Sequence, residues 1–190
     1  MIDGHPDGGR LSHALLDRYA AALPSDTRVT RIAVRDLRFD PNMRHGYTED
    51  QPWEPDLKHL ADIIAEADHL VFAFPMWWGA EPAMLKGLID RLFLPGHAFR
   101  YHEGKSSWDK LYTGRSADVV ITMDTPPWFL RLGYGDAIAK RWTRQILGFV
   151  GMAPVRIFRF GPTWRGGAAA SFAKWSAKLE RAATSIRSQR

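Results

Sequence analysis

Apolar residues recur along this chain with two alternating rhythms, one helical and one extended. Leu11, Leu15, Tyr19 and Leu23 stand four apart, which predicts a helix that Pro24 stops. Val29 to Val34 is rich in β-branched residues with partial alternation and predicts a strand. The polar stretch from Asp36 to Pro55 holds three prolines and predicts a long loop, a kind of segment that is usually functional in a compact domain. Leu57, Leu60, Ile64 and Ala67 mark a second helix, and His69 to Phe74 is a continuous apolar run suited to a strand buried on both faces. Pro82 occupies a first helical position ahead of Leu85, Leu88, Ile89 and Leu92. A second loop runs from Pro95 to Gly114, and Ala117 to Met123 is another buried strand. Ile138, Trp142, Ile146 and Phe149 then give a helix, and Pro154 to Phe160 a strand. Phe172, Trp175, Leu179, Ala183 and Ile186 make a closing helix.

Helices alternating with buried strands imply an α/β domain built on a parallel sheet covered on both faces. No repeat, low-complexity linker or break in composition divides the chain, so residues 1–190 are expected to form a single domain. Met1-Ile2-Asp3 leaves only a stub of strand before the Gly4-His5 turn.

Composition narrows the chemistry. The 190 residues include no cysteine, which removes disulfides, thiolate metal sites and a cysteine nucleophile. Leu70 to Ala80 is the longest charge-free apolar stretch, too short to span a bilayer, and it contains Pro75. Asp3 and Asp7 interrupt the start, so no signal peptide is expected, and the protein is expected to be cytoplasmic with no membrane insertion. The net charge of +5 divides into −4 over residues 1–100 and +9 over residues 101–190. A basic half suits an anionic partner, a phosphorylated small molecule or a nucleic acid. It equally suits a solvated closing helix carrying Arg165, Lys174, Lys178, Arg181, Arg187 and Arg190. No zinc-finger, RNP-type or basic-zipper pattern accompanies the charge, so no nucleic-acid partner is expected.

Ligands of open parallel sheets bind outside the carboxyl ends of the strands. Three unusual segments fall there. Gly4 to Ser12 is a turn entering a helix, where free N–H groups and the helix dipole favour a phosphate and where Arg10 and Ser12 add donors. It is neither a G-x-G-x-x-G fingerprint nor a P-loop, and Gly8-Gly9 also reads as a plain turn. Pro75 to Gly79 places Trp77 and Trp78 side by side after a buried strand; a core takes one such indole more easily than both, whereas a flat aromatic ligand explains the pair. Thr122 to Trp128 is a loop held extended by Pro126-Pro127, with hydroxyls and a further indole. The histidines are scattered without an H-E-x-x-H pair, so no metal site is expected. His5-Pro6-Asp7 is similar to the opening of the H-P-D-D-E zinc run of deacetylase-like amidases, but Gly8-Gly9 removes a ligand there, and no G-x-S-x-G elbow supports a serine hydrolase.

Taken together, Gly4-His5-Pro6-Asp7, the long run from Pro75-Met76-Trp77-Trp78-Gly79 through Pro82, Leu85-Lys86-Gly87 and Asp90-Arg91, and Pro95 to Phe99 resemble the FMN-dependent NAD(P)H:quinone oxidoreductases of flavodoxin-like fold. Thr122 to Trp128 and Leu147 to Val155 resemble their NAD(P)H dehydrogenase branch, and the likeness covers about residues 3–163. It implies a three-layer sandwich with a parallel sheet of order 2-1-3-4-5 and a truncated first strand. It implies non-covalent FMN, preferred over FAD, with NAD(P)H as co-substrate. His5, Arg10, Leu11 and Ser12 would hold the phosphate; Pro75, Met76, Trp77, Trp78 and Gly79 would carry the isoalloxazine; Thr122, Met123, Asp124, Thr125 and Trp128 would close its other edge. Phe99, Tyr101 and Trp128 would line the substrate pocket of a homodimer, and Tyr134 and Tyr101 are the candidate catalytic residues.

Many relatives carry serine where Arg10 stands, and Tyr134 takes the place of a histidine that assists proton transfer in the animal enzymes. The activity implied is hydride transfer from NAD(P)H through the flavin to a quinone or similar flat acceptor by ping-pong. The alternative within the fold is a flavin-binding electron carrier or an ancillary regulatory subunit of a membrane transporter.

Overall fold

The computed structural model describes residues 1–186; Arg187 and Arg190, expected on the closing helix, lie outside the described residues. Five strands form one parallel sheet: β1 (Ile2–Asp3), β2 (Ile32–Ala33), β3 (His69–Pro75), then, beyond a hairpin of β4 (Phe99–Tyr101) and β5 (Trp108–Lys110), β6 (Ser116–Thr122) and β7 (Val155–Phe160). Their order is β2-β1-β3-β6-β7, which is 2-1-3-4-5 when the sheet's own strands are counted. The fold implied by the resemblance is the fold observed.

Alternation along β3 explains the layers. Phe72 and Phe74 point into a cluster with Leu57, Leu60 and Ile64 of α2 (Pro55–Glu66) and with Leu85 and Leu88 of α3 (Ala83–Leu92). Val71 and Ala73 point the other way, against Leu15, Leu16 and Tyr19 of α1 (Leu11–Ala21) and Trp175 and Leu179 of α7 (Gly167–Ala183). Burying β3 and β6 on both faces is why their sequences are unbroken apolar runs.

Several expectations need correction. The strand expected over Val29 to Val34 is reduced to Ile32–Ala33 and gives way to a 3-10 turn at Val34–Asp36. Among the described residues its only neighbour is the two-residue β1, where Ile32 N–H donates to the Met1 carbonyl at 2.9 Å and the Met1 ammonium donates to the Thr30 carbonyl at 2.7 Å. Beside Met1, Thr30 and the start of β3 the structure is open. The opening is a cavity of about 480 Å³ lined by Met1, Tyr19, Leu23, Thr30, Ile64 and Leu70, at the amino ends of the strands.

The loop expected over Pro95 to Gly114 contains the β4–β5 hairpin, an alternation too short to register as a strand pattern. Pro127 begins a helix, α4 (Pro127–Gly133), because a proline at the first helical position costs no hydrogen bond. The helix expected around Ile138 to Phe149 is present as α5 (Ala137–Lys140), a π-helical stretch Arg141–Leu147 and α6 (Gly148–Val150). The closing helix starts earlier than its aromatic stripe, since Ala168 to Ala170 are strong helix formers, and ends at Ala183, short of Ile186.

Candidate functional site

All three candidate segments emerge at the carboxyl ends of β1, β3 and β6, which are adjacent in the sheet. Gly4 N–H donates to the Ala73 carbonyl at 2.8 Å and fixes the start of the first turn. The His5 ring meets the Trp77 indole edge-on, with centroids 5.6 Å apart, joining the first and second segments. Burial pushes the His5 pKa down, with the Asp3 carboxylate opposing and the Arg10 charge assisting.

Arg10 caps α1 by position but makes no side-chain cap; its Nε donates to Asp7 Oδ2 at 2.7 Å and its Nη2 reaches the same oxygen. That hydrogen bond holds the exposed Asp7 carboxyl below the ordinary carboxylate range. Ser12 is buried and its hydroxyl donates to Asp3 Oδ1 at 3.1 Å. Leu11 packs against the α1–α7 cluster. The donors left for an anion are therefore the first-turn N–H groups of α1, which no side chain caps.

The second segment is a two-residue hairpin turn. Trp77 and Ala80 exchange backbone hydrogen bonds of 2.8 and 3.0 Å around Trp78 at φ 51° and Gly79 at φ 79°. Two positive φ angles make this a type I′ turn, which suits glycine and strains an indole-bearing residue. The strain projects the Trp78 indole wholly into solvent, and Trp77 is half-exposed, so neither tryptophan serves the core. Met76 N–H donates to the Thr122 carbonyl at 2.8 Å and ties the turn to the third segment.

Behind the turn Glu81 is buried, paired with Arg141, and accepts the Trp142 indole N–H at 3.1 Å. Trp142 is itself fully buried and stacks on Phe74 at 4.9 Å. These contacts fix the angle at which β3 hands the chain to the turn.

In the third segment Thr122 and Met123 are buried, and Met123 N–H donates to the Phe160 carbonyl at 2.9 Å. Asp124 is exposed and accepts the Thr163 hydroxyl; Thr125 is half-buried. Trp128 opens onto solvent from α4, and Tyr134, at the end of that helix, is exposed with its ring edge-on to Phe129 at 5.3 Å. On the hairpin, Phe99 is buried against Phe149 at 4.9 Å, which leaves Tyr101 as the exposed member of that pair.

One regularity ties the pole together. Of the eight tryptophans, the exposed ones, Trp77, Trp78, Trp128 and Trp164, all follow the carboxyl ends of β3, β6 and β7. Trp53, Trp108, Trp142 and Trp175 are partly or fully buried.

Sequence reasoning missed several contributors. Arg35, in the 3-10 turn after β2, donates to Asp3 Oδ2 at 2.7 Å and approaches the His5 carbonyl, so a mostly buried cation sits beside the first turn. Glu81 and Trp142 needed the tertiary fold to be found. The segment after β7, with Thr163 and Trp164, carries the same signal as the others, an indole at a strand end.

The family model described as flavodoxin-like fold (Flavodoxin_2) matches residues 1–184. The chain is 32% identical over 155 residues to an FMN-dependent NADH:quinone oxidoreductase of Cereibacter sphaeroides, 77% of this chain and 76% of that protein. It is 31% identical over 179 residues to a protein of the same name from Beijerinckia indica, covering 84% of this chain and 85% of that one. Among solved structures it superposes on Smu.1420 from Streptococcus mutans UA159 with a TM-score of 0.81 at 23% identity, over 97% of each chain. An FMN-dependent NADH-azoreductase of Bacillus anthracis, solved in complex with FMN, gives a TM-score of 0.70 at 17% identity over 96% of this chain and 95% of that one, a likeness of fold. The chain belongs to the flavodoxin-like fold family and, within it, to the family of FMN-dependent NADH:quinone oxidoreductases that its relatives represent.

Proposed function

We propose that this protein is an FMN-dependent oxidoreductase that passes a hydride from NAD(P)H to a quinone or similar flat acceptor, as a cytoplasmic homodimer with residues 1–190 acting as one domain. The observation that carries the reading is the convergence of three strand-end segments and every exposed indole on one pole of the sheet. The names of the 31–32% identical relatives support it and favour turnover over a carrier or transporter-subunit role.

The residues present fit FMN. The uncapped first turn of α1 offers N–H donors for a phosphate, supported by Arg10, Leu11, Ser12 and His5. The backbone of Pro75 to Gly79 offers a strained, outward-facing edge for a flat ring, with Thr122 to Thr125 and Trp128 across from it. FMN, when bound, supplies a two-electron carrier that takes hydride from NAD(P)H and gives it to the acceptor, each substrate using one slot in turn.

The protein's own contribution is orientation and charge. Among the described residues, the N–H groups of Trp78, Gly79, Asp124 and Thr125 have no backbone acceptor, and they are placed to stabilise negative charge at the rim of the site. Trp77, Trp78 and Trp128 exclude water and sandwich flat substrates. The Tyr134 and Tyr101 hydroxyls are the candidate donors to a developing quinol oxygen. The second copy would seat on the groove of about 220 Å³ between α3, the hairpin and the π-helical stretch, lined by Lys86, Ile89, Phe93, Tyr101 and Phe149. Tyr101 would then reach the partner's pocket.

Purified protein titrated with FMN should quench flavin fluorescence and gain thermal stability, since a ligand of the folded state stabilises it by mass action. Steady-state turnover of a soluble quinone with NAD(P)H should give parallel double-reciprocal lines, and sedimentation should give a dimer. Absence of FMN binding, or of turnover in its presence, would overturn the reading.

A further inference from the structure

The segment after β7 stands outside the three already assigned, yet it is fastened to one of them. Gly161 lies so close to the third segment that a Cβ there would come within 2.5 Å of the Met123 carbonyl oxygen and 2.9 Å of that of Thr125. Thr163 donates its N–H to the Met123 carbonyl at 3.1 Å and its hydroxyl to Asp124. Thus anchored, the chain reverses through Arg165 at φ 49° and Gly166 at φ 80° before entering α7. A left-handed arginine is uncommon, and such strain is concentrated at functional sites.

The reversal leaves the Trp164 indole half-exposed with the Arg165 guanidinium 4.4 Å above its ring centroid. Arg10, Arg141 and Arg159 are each paired with a carboxylate, whereas Arg165 forms no ion pair among the described residues. A guanidinium stacked on an indole is held flat while all its N–H donors remain available at its edge, the geometry that grips a phosphate dianion bidentately. The first turn of α7 carries no acidic residue, so the helix dipole adds to the positive potential there. The order β2-β1-β3-β6-β7 puts this segment on the flank of the site opposite the first turn. The first turn and this cation therefore lie on opposite sides of the Pro75–Gly79 turn.

We propose that Trp164 and Arg165 form the docking platform for the 2′-phosphorylated adenosine end of the dinucleotide, so that the protein selects NADPH over NADH. The inference rests on the reading of the site as an FMN-dependent NAD(P)H oxidoreductase. The indole offers its face to the purine and the guanidinium takes the 2′-phosphate, the group by which the two dinucleotides differ. The Cereibacter and Beijerinckia relatives are named for NADH, so a preference for NADPH would set this chain apart from them.

The test compares NADPH, NADH and reduced nicotinamide mononucleotide as donors, with binding of 2′,5′-ADP and 5′-AMP measured separately by calorimetry. Loss of a charge-assisted bidentate bond in Arg165→Ala should raise the KM for NADPH about ten- to a hundredfold. The KM for the mononucleotide should stay unchanged and that for NADH nearly so, and Arg165→Lys should recover part of the loss. Trp164→Ala should raise the KM for both dinucleotides and spare the mononucleotide. The unmodified protein should prefer 2′,5′-ADP to 5′-AMP and lose that preference in Arg165→Ala. Equal losses with all three donors, or no preference for 2′,5′-ADP, would overturn the inference. If the unmodified protein failed to bind FMN or to oxidise either dinucleotide, the parent reading would fail instead, and the 2′,5′-ADP measurement would still decide the platform.

Discussion

The Arg35 guanidinium donates to the Asp3 carboxylate at 2.7 Å, and the same carboxylate accepts the Ser12 hydroxyl and the His5 N–H. A buried acid at the end of a central strand would otherwise repel any anion held by the first turn; Arg35 neutralises it from the 3-10 turn that follows the neighbouring strand. Asp3 is almost wholly buried and Arg35 largely so, which makes removal of one partner costly. Arg35→Ala should destabilise the protein by about 3 kcal/mol, the lower end for a broken buried pair. That corresponds to a fall in Tm of roughly 6–12 °C for a chain of this size. Pairing the change with Asp3→Asn should restore much of the loss, because it removes the stranded charge. A double variant no more stable than Arg35→Ala would count against this electrostatic account.

Arg10 and Asp7 should have opposite effects on the cofactor. In the structure Arg10 is spent on Asp7 at the surface, both side chains more than half exposed, and such solvent-screened pairs add little to stability. Both single alanine variants should therefore keep their Tm within a few degrees. Arg10→Ala should weaken FMN about tenfold and riboflavin hardly at all. Asp7→Ala should free the guanidinium and tighten FMN up to about fivefold, the worth of the released pair. Fluorescence titration with both flavins reads this directly, and shifts of the same sign in the two variants would remove Arg10 from the phosphate site.

Trp78 sets local strain against ligand contact. Relieving a left-handed non-glycine residue gains about 1 kcal/mol, close to what glycine's extra chain entropy costs. Trp78→Gly should therefore leave the Tm of the cofactor-free protein nearly unchanged. Removing the exposed indole should weaken FMN about two- to tenfold, the range for an aromatic stacking contact. A large drop in apoprotein Tm would mean that the indole packs on the fold after all.

Legibility in the sequence followed how local each cause is. β3 and β6 are readable because burial on both faces leaves no polar position in His69 to Phe74 beyond the first. The exception within β6 is Asp118, a wholly buried acid whose compensation lies one strand away in Arg156, with both oxygens bonded at 2.6 Å. Only the register Asp118↔Arg156 makes sense of it, and register is not written in either segment alone. Arg91 behaves the same way. It sits on the buried face of α3 because the Asp40 and Pro52 carbonyls and Glu54, from the loop between β2 and α2, close around it. The strand-end turns were legible by residue type, yet their side chains were not: Ser12 turns inward to Asp3, and the cation beside the first turn, Arg35, comes from the 3-10 turn that follows β2. The length of β2 was illegible because it depends on the neighbour it pairs with rather than on its own β-branched residues.

That dependence gives the last prediction. β3 starts at His69 but its pairing with β1 starts only at Phe72, so the edge of β3 over His69 to Val71 faces the 480 Å³ cavity instead of a strand. The Met1 ammonium occupies the first sheet position, and burial, with Arg31 adding, pulls its pKa down to about 6 from 8.0. A cation with a depressed pKa is held less protonated in the folded state than in the unfolded chain. Between about pH 6 and pH 8 the unfolded state therefore binds more protons, and stability should rise with pH across that window. An N-terminal extension of four apolar, β-branched residues would replace the ammonium by a peptide N–H, pair with the free edge of β3 and fill the slot with side chains. Each buried aliphatic side chain contributes about 1.5–3 kcal/mol against about 1–2 kcal/mol per residue of backbone ordering. With the added hydrogen bonds the balance is a gain of a few kcal/mol, seen as a Tm increase of roughly 5–10 °C. A Gly-Ser extension of equal length is the control: it also moves the ammonium away and should flatten the pH 6–8 slope, but it cannot fill an apolar slot and should not raise Tm. Equal melting temperatures for the two extensions would show that the slot does not accept a strand.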